Sequence, residues 1–192
     1  MGVPGSVNQK TRKMLMTQSW FNVEEVENIE KLVEASFPCC TTIIKNDINL
    51  AATGEMRYGI GRGYKNLIYV SVDMGVGAGI ILEGKLYEGS RFASGEIGYS
   101  KICCGTSRNL EEETSIRSIL QQIKDNKLLN KDDRGIRFLS QDKNALNIEE
   151  VRKAIKEEDA ELVSIMHDVV EKLGFTLANI CVLLDIEQII IG

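Results

Sequence analysis

Leu67 to Tyr99, LIYVSVDMGVGAGIILEGKLYEGSRFASGEIGY, limits the folds open to this chain more than any other stretch. Leu67–Asp73 is rich in β-branched and aromatic residues and predicts a buried strand. Gly75, Gly77 and Gly79 follow, separated only by Val76 and Ala78. Ala78–Leu82 is apolar again, Glu83-Gly84-Lys85 signals a turn, and Leu86–Gly89 predicts another strand. The pattern is a hairpin whose glycines let something approach the backbone closely. Successive bare N–H groups there form an anion nest able to hold phosphate. An ordinary hairpin with a flexible tip fits the spacing equally well. The dinucleotide fingerprint does not, because this turn feeds a strand rather than a helix.

The chain around this hairpin has 192 residues, enough for one domain or one and part of another. Its 43% apolar and 27% charged content is that of a soluble globular protein. The net charge of −5 argues against DNA binding by this chain itself, since backbone affinity needs clustered Lys and Arg. Five cysteines, with two adjacent pairs, make a poor disulfide framework and fit reduced thiols in a cytosolic protein. The most apolar run, Ile180 to Ile191, is broken by Asp185 and Glu187, so no membrane span is expected.

Ser6–Thr17 is polar and basic and predicts a loop or hairpin. Asn22 and Glu25 are spaced as a capping box, followed by helical periodicity through Val26, Ile29, Leu32 and Val33. Thr41–Ile44 predicts a short strand, Ile48–Tyr58 a helix, and Glu111 to about Leu129 one long helix. Asn130–Leu146 is charged and aperiodic, and Asn147–Glu150 is a second capping box. From about Asp159 a long helix carries Leu162, Ile165, Met166, Val169, Leu173 and Leu177 on one face. His167, the only histidine, falls off that stripe, a solvated position. Glu187–Ile191 predicts a final buried strand.

Asn46-Asp47 stands where strand gives way to helix. A carboxylate at the carboxyl end of a strand in an open α/β sheet can accept a proton from a ligand hydroxyl. Asn and Asp are equally the natural caps of a helix start. Glu96, between Gly95 and Ile97-Gly98, is either a hydroxyl acceptor or a solvated loop carboxylate.

The glycine hairpin, Leu86–Gly89, Gly95-Glu96-Ile97-Gly98, Gly2-Val3-Pro4-Gly5, Trp20, Asn46–Asn49 through Gly54-Glu55, and the closing Leu184–Gly192 together resemble the ROK family of repressors, open reading frames and sugar kinases. The resemblance is weakest between Ile116 and Ala160. It implies an α/β protein of the sugar kinase and actin-like ATPase (ribonuclease H-like) fold. Residues 1–44 would be the end of the first lobe and 45–192 most of the second. The resemblance also implies that the chain begins partway through its relatives and ends before them. In the family's kinases the residue matching Asp47 is the catalytic base; in its repressors it only binds sugar. Asn46, Asp47, Glu96 and Glu111 become the expected sugar contacts, and Gly75 and Gly77 a degenerate phosphate site.

Several positions depart from the family pattern. Kinases show Gly-Thr-Gly where this chain has Asp73-Met74-Gly75, and the family's Asp-x-Gly-Gly-Thr phosphate loop is absent; Asp133–Arg137 is a chance likeness. Ile102–Glu111 resembles an eroded zinc loop: Cys104, Gly105 and Glu111 match, while Ile102 and Asn109 replace cysteines and Tyr99 replaces a histidine. Tetrahedral zinc needs four N or S ligands, so no metal is expected. The sequence therefore predicts the sugar-sensing part of a repressor-like protein, as a homodimer binding a small sugar without cofactor. The alternative is a fragment or degenerate copy of an ATP-dependent hexose kinase, with ATP and magnesium as cofactors and Asp47 as base.

Overall fold

The computed structural model describes residues 1–11, 13–16, 31–102, 107–129 and 148–192. The expected capping boxes at Asn22 and Asn147, Trp20, Cys103, Cys104 and the Asp133–Arg137 string lie outside them. The chain divides into two compact units. One comprises Met1–Ser71, Gly77–Glu96 and Leu184–Gly192, and the other Val72–Val76 and Ile97–Leu183. Residues 1–44 and the start of the expected second lobe thus share a unit.

In the first unit, β1 (Gly2–Val3) pairs in parallel with β4 (Lys45–Asn46), Gly2 opposite Lys45 and Val3 opposite Asn46. The strand expected at Thr41–Ile44 is thus displaced to Lys45–Asn46. Thr41–Ile44 is irregular, although its alternate residues Thr42 and Ile44 are buried. Between β1 and β4 lie an antiparallel hairpin, β2 (Ser6–Asn8) and β3 (Lys13–Met16), and a helix, α1, described over residues 31–36. The carboxamide oxygen of Asn8 accepts the N–H groups of Lys10 and Thr11 and shapes the hairpin turn. Val3, Val7 and Ile44 form a small core.

Helix α2 (Asp47–Tyr58) follows, then the sheet made by β5 (Leu67–Val72), β6 (Val76–Leu82), β7 (Lys85–Leu86) and β8 (Gln188–Ile191), in the order β7-β6-β5-β8. β5 and β8 are parallel, β6 and β7 antiparallel. Glu83 (φ 53°) and Gly84 (φ 73°) form the two-residue turn between β6 and β7, the left-handed pair that matches strand twist. The strand expected over Leu86–Gly89 stops at Leu86, and only the bond from Tyr87 N–H to Ile80 O continues the pairing. β8 is not the buried strand expected: Ile190 is buried, Ile191 exposed. Ala52, Leu67, Ile81 and Ile190 form the core beneath α2.

In the second unit a turn of 3₁₀ helix, Ile97–Tyr99, precedes α3 (Leu110–Thr114), α4 (Ile116–Leu129), α5 (Ile148–Lys156) and α6 (Ala160–Leu184). The single helix expected from Glu111 to Leu129 is two. Ser115 leaves helical geometry (ψ 154°), and its hydroxyl accepts the Ser118 N–H, restarting the chain as α4. Half-buried Lys172 and exposed Arg108 both bind the buried Glu113 carboxylate, at 2.8 and 2.9 Å. The apolar stripe of α6 buries Leu162, Ile165 and Val169 against Ile119, Ile123 and Val151. His167 is exposed, as its place off the stripe predicts.

Candidate functional site

Asn46 caps α2. Its side-chain oxygen accepts the Asn49 N–H at 2.8 Å, and its amide nitrogen donates to Gly5 O at 3.1 Å. Capping is therefore one of the roles of Asn46, and its amide also ties the helix start to the N-terminal segment. Ser6, the next residue along that segment, is 2% exposed, and its hydroxyl donates to Glu96 Oε1 at 3.0 Å. Asn46 and Glu96, 50 positions apart in the chain, are thus both held by the Gly5-Ser6 dipeptide.

Asp47 opens α2 beside Gly2, where a Cβ would lie 3.5 Å from its own Cβ. Its Oδ1 accepts the Ile48 N–H at 2.8 Å. Asp47 is an exposed residue, yet the atoms packed around its carboxyl strip enough water from it to raise its pKa; the hydrogen bond from Ile48 opposes that shift. A carboxylate so tuned holds a proton more readily than an open one, the direction a general base needs.

The glycines of β6 explain why α2 sits where it does. A Cβ on Gly77 would run into the Ile48 side chain at 2.5 Å, and one on Gly79 would meet the Ala52 Cβ and stand 2.9 Å from Ile48 O. The close approach the sequence reserved for a ligand is made here by the helix. Gly95 (φ 87°) is equally constrained: its carbonyl accepts the Ala78 N–H at 2.7 Å, and a Cβ on it would collide with Ala78 O.

Glu111, the fourth expected sugar contact, belongs to the second unit, where its carboxylate accepts the Val76 N–H at 3.0 Å. In the same unit the glycine turn satisfies itself. The Asp73 N–H donates to Gly75 O at 2.9 Å, and Asp73 Oδ1 accepts the Met74 N–H at 2.8 Å. Of the positions where the resemblance puts zinc ligands, Asn109 is instead the N-cap of α3, in a reciprocal capping box with Glu112. Tyr99 is exposed and Ile102 offers no donor atom. This donor set does not fit tetrahedral zinc.

The sequence does not single out Ser6, which opens the loop or hairpin expected over Ser6–Thr17 and observed as the β2–β3 hairpin. Its only signal was adjacency to Gly2-Val3-Pro4-Gly5. No local pattern announces a hydroxyl that bonds a carboxylate 90 residues away.

Comparison with known proteins places these features in a family. The fold is that of the sugar kinases and actin-like ATPases. It aligns over the whole chain, at TM-score 0.82 and 23% identity, with 63% of a ROK family glucokinase from Streptomyces griseus solved in complex with glucose and AMPPNP. It aligns over 98% of the chain, at TM-score 0.74 and 24% identity, with 48% of a ROK family transcriptional regulator homologous to the E. coli MLC protein. The ROK family model matches residues 1–192, and the chain belongs to the ROK family. Its relatives include a xylose repressor of Caldicellulosiruptor bescii, 30% identical over all of this chain and 49% of the repressor. A glucokinase of Halalkalibacterium halodurans is 29% identical over all of this chain and 59% of the kinase. The chain therefore spans about half to three-fifths of the length of these relatives. Among the described residues no helix is long and apolar enough to cross a membrane.

Proposed function

We propose that this chain is the sugar-sensing, effector-binding part of a ROK-family repressor-like protein. The observation that carries the reading is the gathering of Asn46 and Glu96 on Gly5-Ser6, with Asp47 at the next position. A sugar presents several hydroxyls and needs several acceptors and donors at fixed spacing, which an Asn, an Asp and a Glu supply. The glycine turn favours sensing over catalysis. Phosphoryl transfer depends on groups that position and neutralise phosphate, whereas the N–H groups of Asp73, Met74 and Val76 already have protein acceptors, two of them carboxylates. The reading includes a homodimer, no zinc and no nucleotide, with contact to DNA left to residues beyond this chain.

The second reading, a fragment or degenerate copy of an ATP-dependent hexose kinase, is favoured by the raised pKa of Asp47, which suits a base, and by the similarity to glucokinases. In that case ATP and magnesium are the cofactors, and Gly75 and Gly77 face phosphate.

Calorimetric titration with xylose, glucose and N-acetylglucosamine tests the proposal. One of these sugars should bind saturably. Asp47→Ala and Glu96→Ala should each weaken it about tenfold, the effect of losing a charged hydrogen bond, while the surface control Glu157→Ala should not. Equal binding by all three variants overturns the site. Phosphoryl transfer from ATP by a longer protein that includes this chain, lost in Asp47→Ala, would establish the kinase reading instead.

A further inference from the structure

The end of α2 and the turns after it carry a surface that the sugar site does not use. Arg57, Tyr58, Ile60, Arg62, Tyr64 and Lys65 are all exposed, Tyr58 at 83% and Ile60 at 70%. These side chains stand on a rigid base. The Gly59 N–H closes on Glu55 O at 3.0 Å, and the Ile60 N–H on Glu55 Oε2 at 3.0 Å. The Tyr64 N–H reaches Gly61 O at 3.3 Å, and Gly61 is buried where a Cβ would meet Leu67. Glu55, the nearest carboxylate in sequence, is turned inward to this backbone. Among the described residues neither Arg57 nor Arg62 has a carboxylate partner, in a chain of net charge −5. Lys65 differs: the Glu187 carboxylate accepts the Asn66 and Lys65 N–H groups, which lower its pKa, and the Lys65 charge adds to that shift.

Large apolar and aromatic side chains exposed on a fixed backbone, flanked by arginines, are what the anchor regions of protein interfaces are made of. The turn is preorganised, so a partner would order little on binding it. The two unpaired arginines select for negative charge around the contact, and two such cations are too few to carry a nucleic-acid backbone. We propose that Arg57–Lys65 is a docking surface for an acidic protein segment that presents an aromatic side chain between carboxylates.

Fluorescence anisotropy with labelled poly(Glu,Tyr) copolymer, poly-Glu and a 20-base-pair DNA duplex tests it on the whole chain. The copolymer should bind about tenfold tighter than poly-Glu, as an aromatic anchor requires. Arg57→Glu with Arg62→Glu should abolish binding of both polymers, and Tyr58→Ala with Ile60→Ser should erase the preference between them. The charge-matched control Lys10→Glu with Lys85→Glu should retain both. Equal binding by the patch variants and the parent, absence of copolymer binding by the parent, or tighter binding of the duplex than of the copolymer overturns the proposal. All substituted residues are exposed, and unchanged thermal melts would confirm that the fold is intact.

Discussion

The glycine turn and the acceptor cluster are both built from short motifs, and they solve opposite problems. In the turn, Asp73 folds its carboxylate onto the adjacent Met74 N–H, and Glu111 takes the Val76 N–H, so donors that would greet an anion are occupied by acids. In the cluster, Asn46 and Glu96 are steadied by the N-terminal segment, and Asp47 keeps a carboxyl at the surface in poorly hydrated surroundings. A motif tied to a distant segment and a motif closed upon itself look alike in sequence. What separates them is the partner brought in from elsewhere in the chain.

The contrast breaks most severely where the cluster is seated. Gly79→Val should cost about 3 kcal/mol in urea denaturation, because the added atoms meet Ala52 and the main chain of α2 rather than a yielding side chain. Gly54→Ala, where a Cβ meets nothing within 4 Å, should instead stabilise by up to about 1 kcal/mol. Next in size is the contrast in binding. Glu96→Ala should lower sugar affinity about tenfold, whereas Asp73→Ala should leave calorimetric affinity unchanged and cost about 1 kcal/mol of stability through the lost turn bond.

The two shifted carboxyls sharpen the comparison with smaller effects. Because the pKa of Asp47 is raised in the folded chain, ionising it opposes folding. That opposition is absent below the unfolded value of about 4, grows as pH rises from there, and is complete above the folded value. Asp47→Asn should therefore gain a little stability at pH 7 and none at pH 3, read from urea midpoints. Sugar affinity of the parent should fall as pH drops through the raised pKa. Glu187 has the opposite sign. Its carboxylate accepts the N–H groups of Lys65 and Asn66, which lower its pKa, so its contribution is present above the unfolded value of about 4.3 and lost as pH falls through the folded one. Glu187→Gln should flatten that acid limb slightly and leave sugar affinity untouched.

Local chemistry made part of this legible in advance. The buried strand at 67–72, the stripe of α6 and the cap at Asn46 each follow from periodicity or from a side chain acting within four residues. The misplaced features depend on distant partners or on competition. β4 forms at Lys45–Asn46 because Gly2–Val3 is there to pair with it. One helix becomes two because the Ser115 hydroxyl outbids continued periodicity for the Ser118 N–H. Of the site, Asn46, Asp47 and Glu96 were visible as residue types, but Ser6 was not, since only folding brings its hydroxyl to Glu96.

The absence of side chains at Gly77 and Gly79 has a consequence for signalling. Helix α2 rests on strand main chain at these points, with few rotamers in between that could relax separately. Occupancy of the acceptors at its first turn would therefore be felt by the strand as displacement of a single stiff body, not diluted through adjustable packing. On the proposed sensing reading, the energy of a few hydroxyl contacts would reach β6 through this close contact.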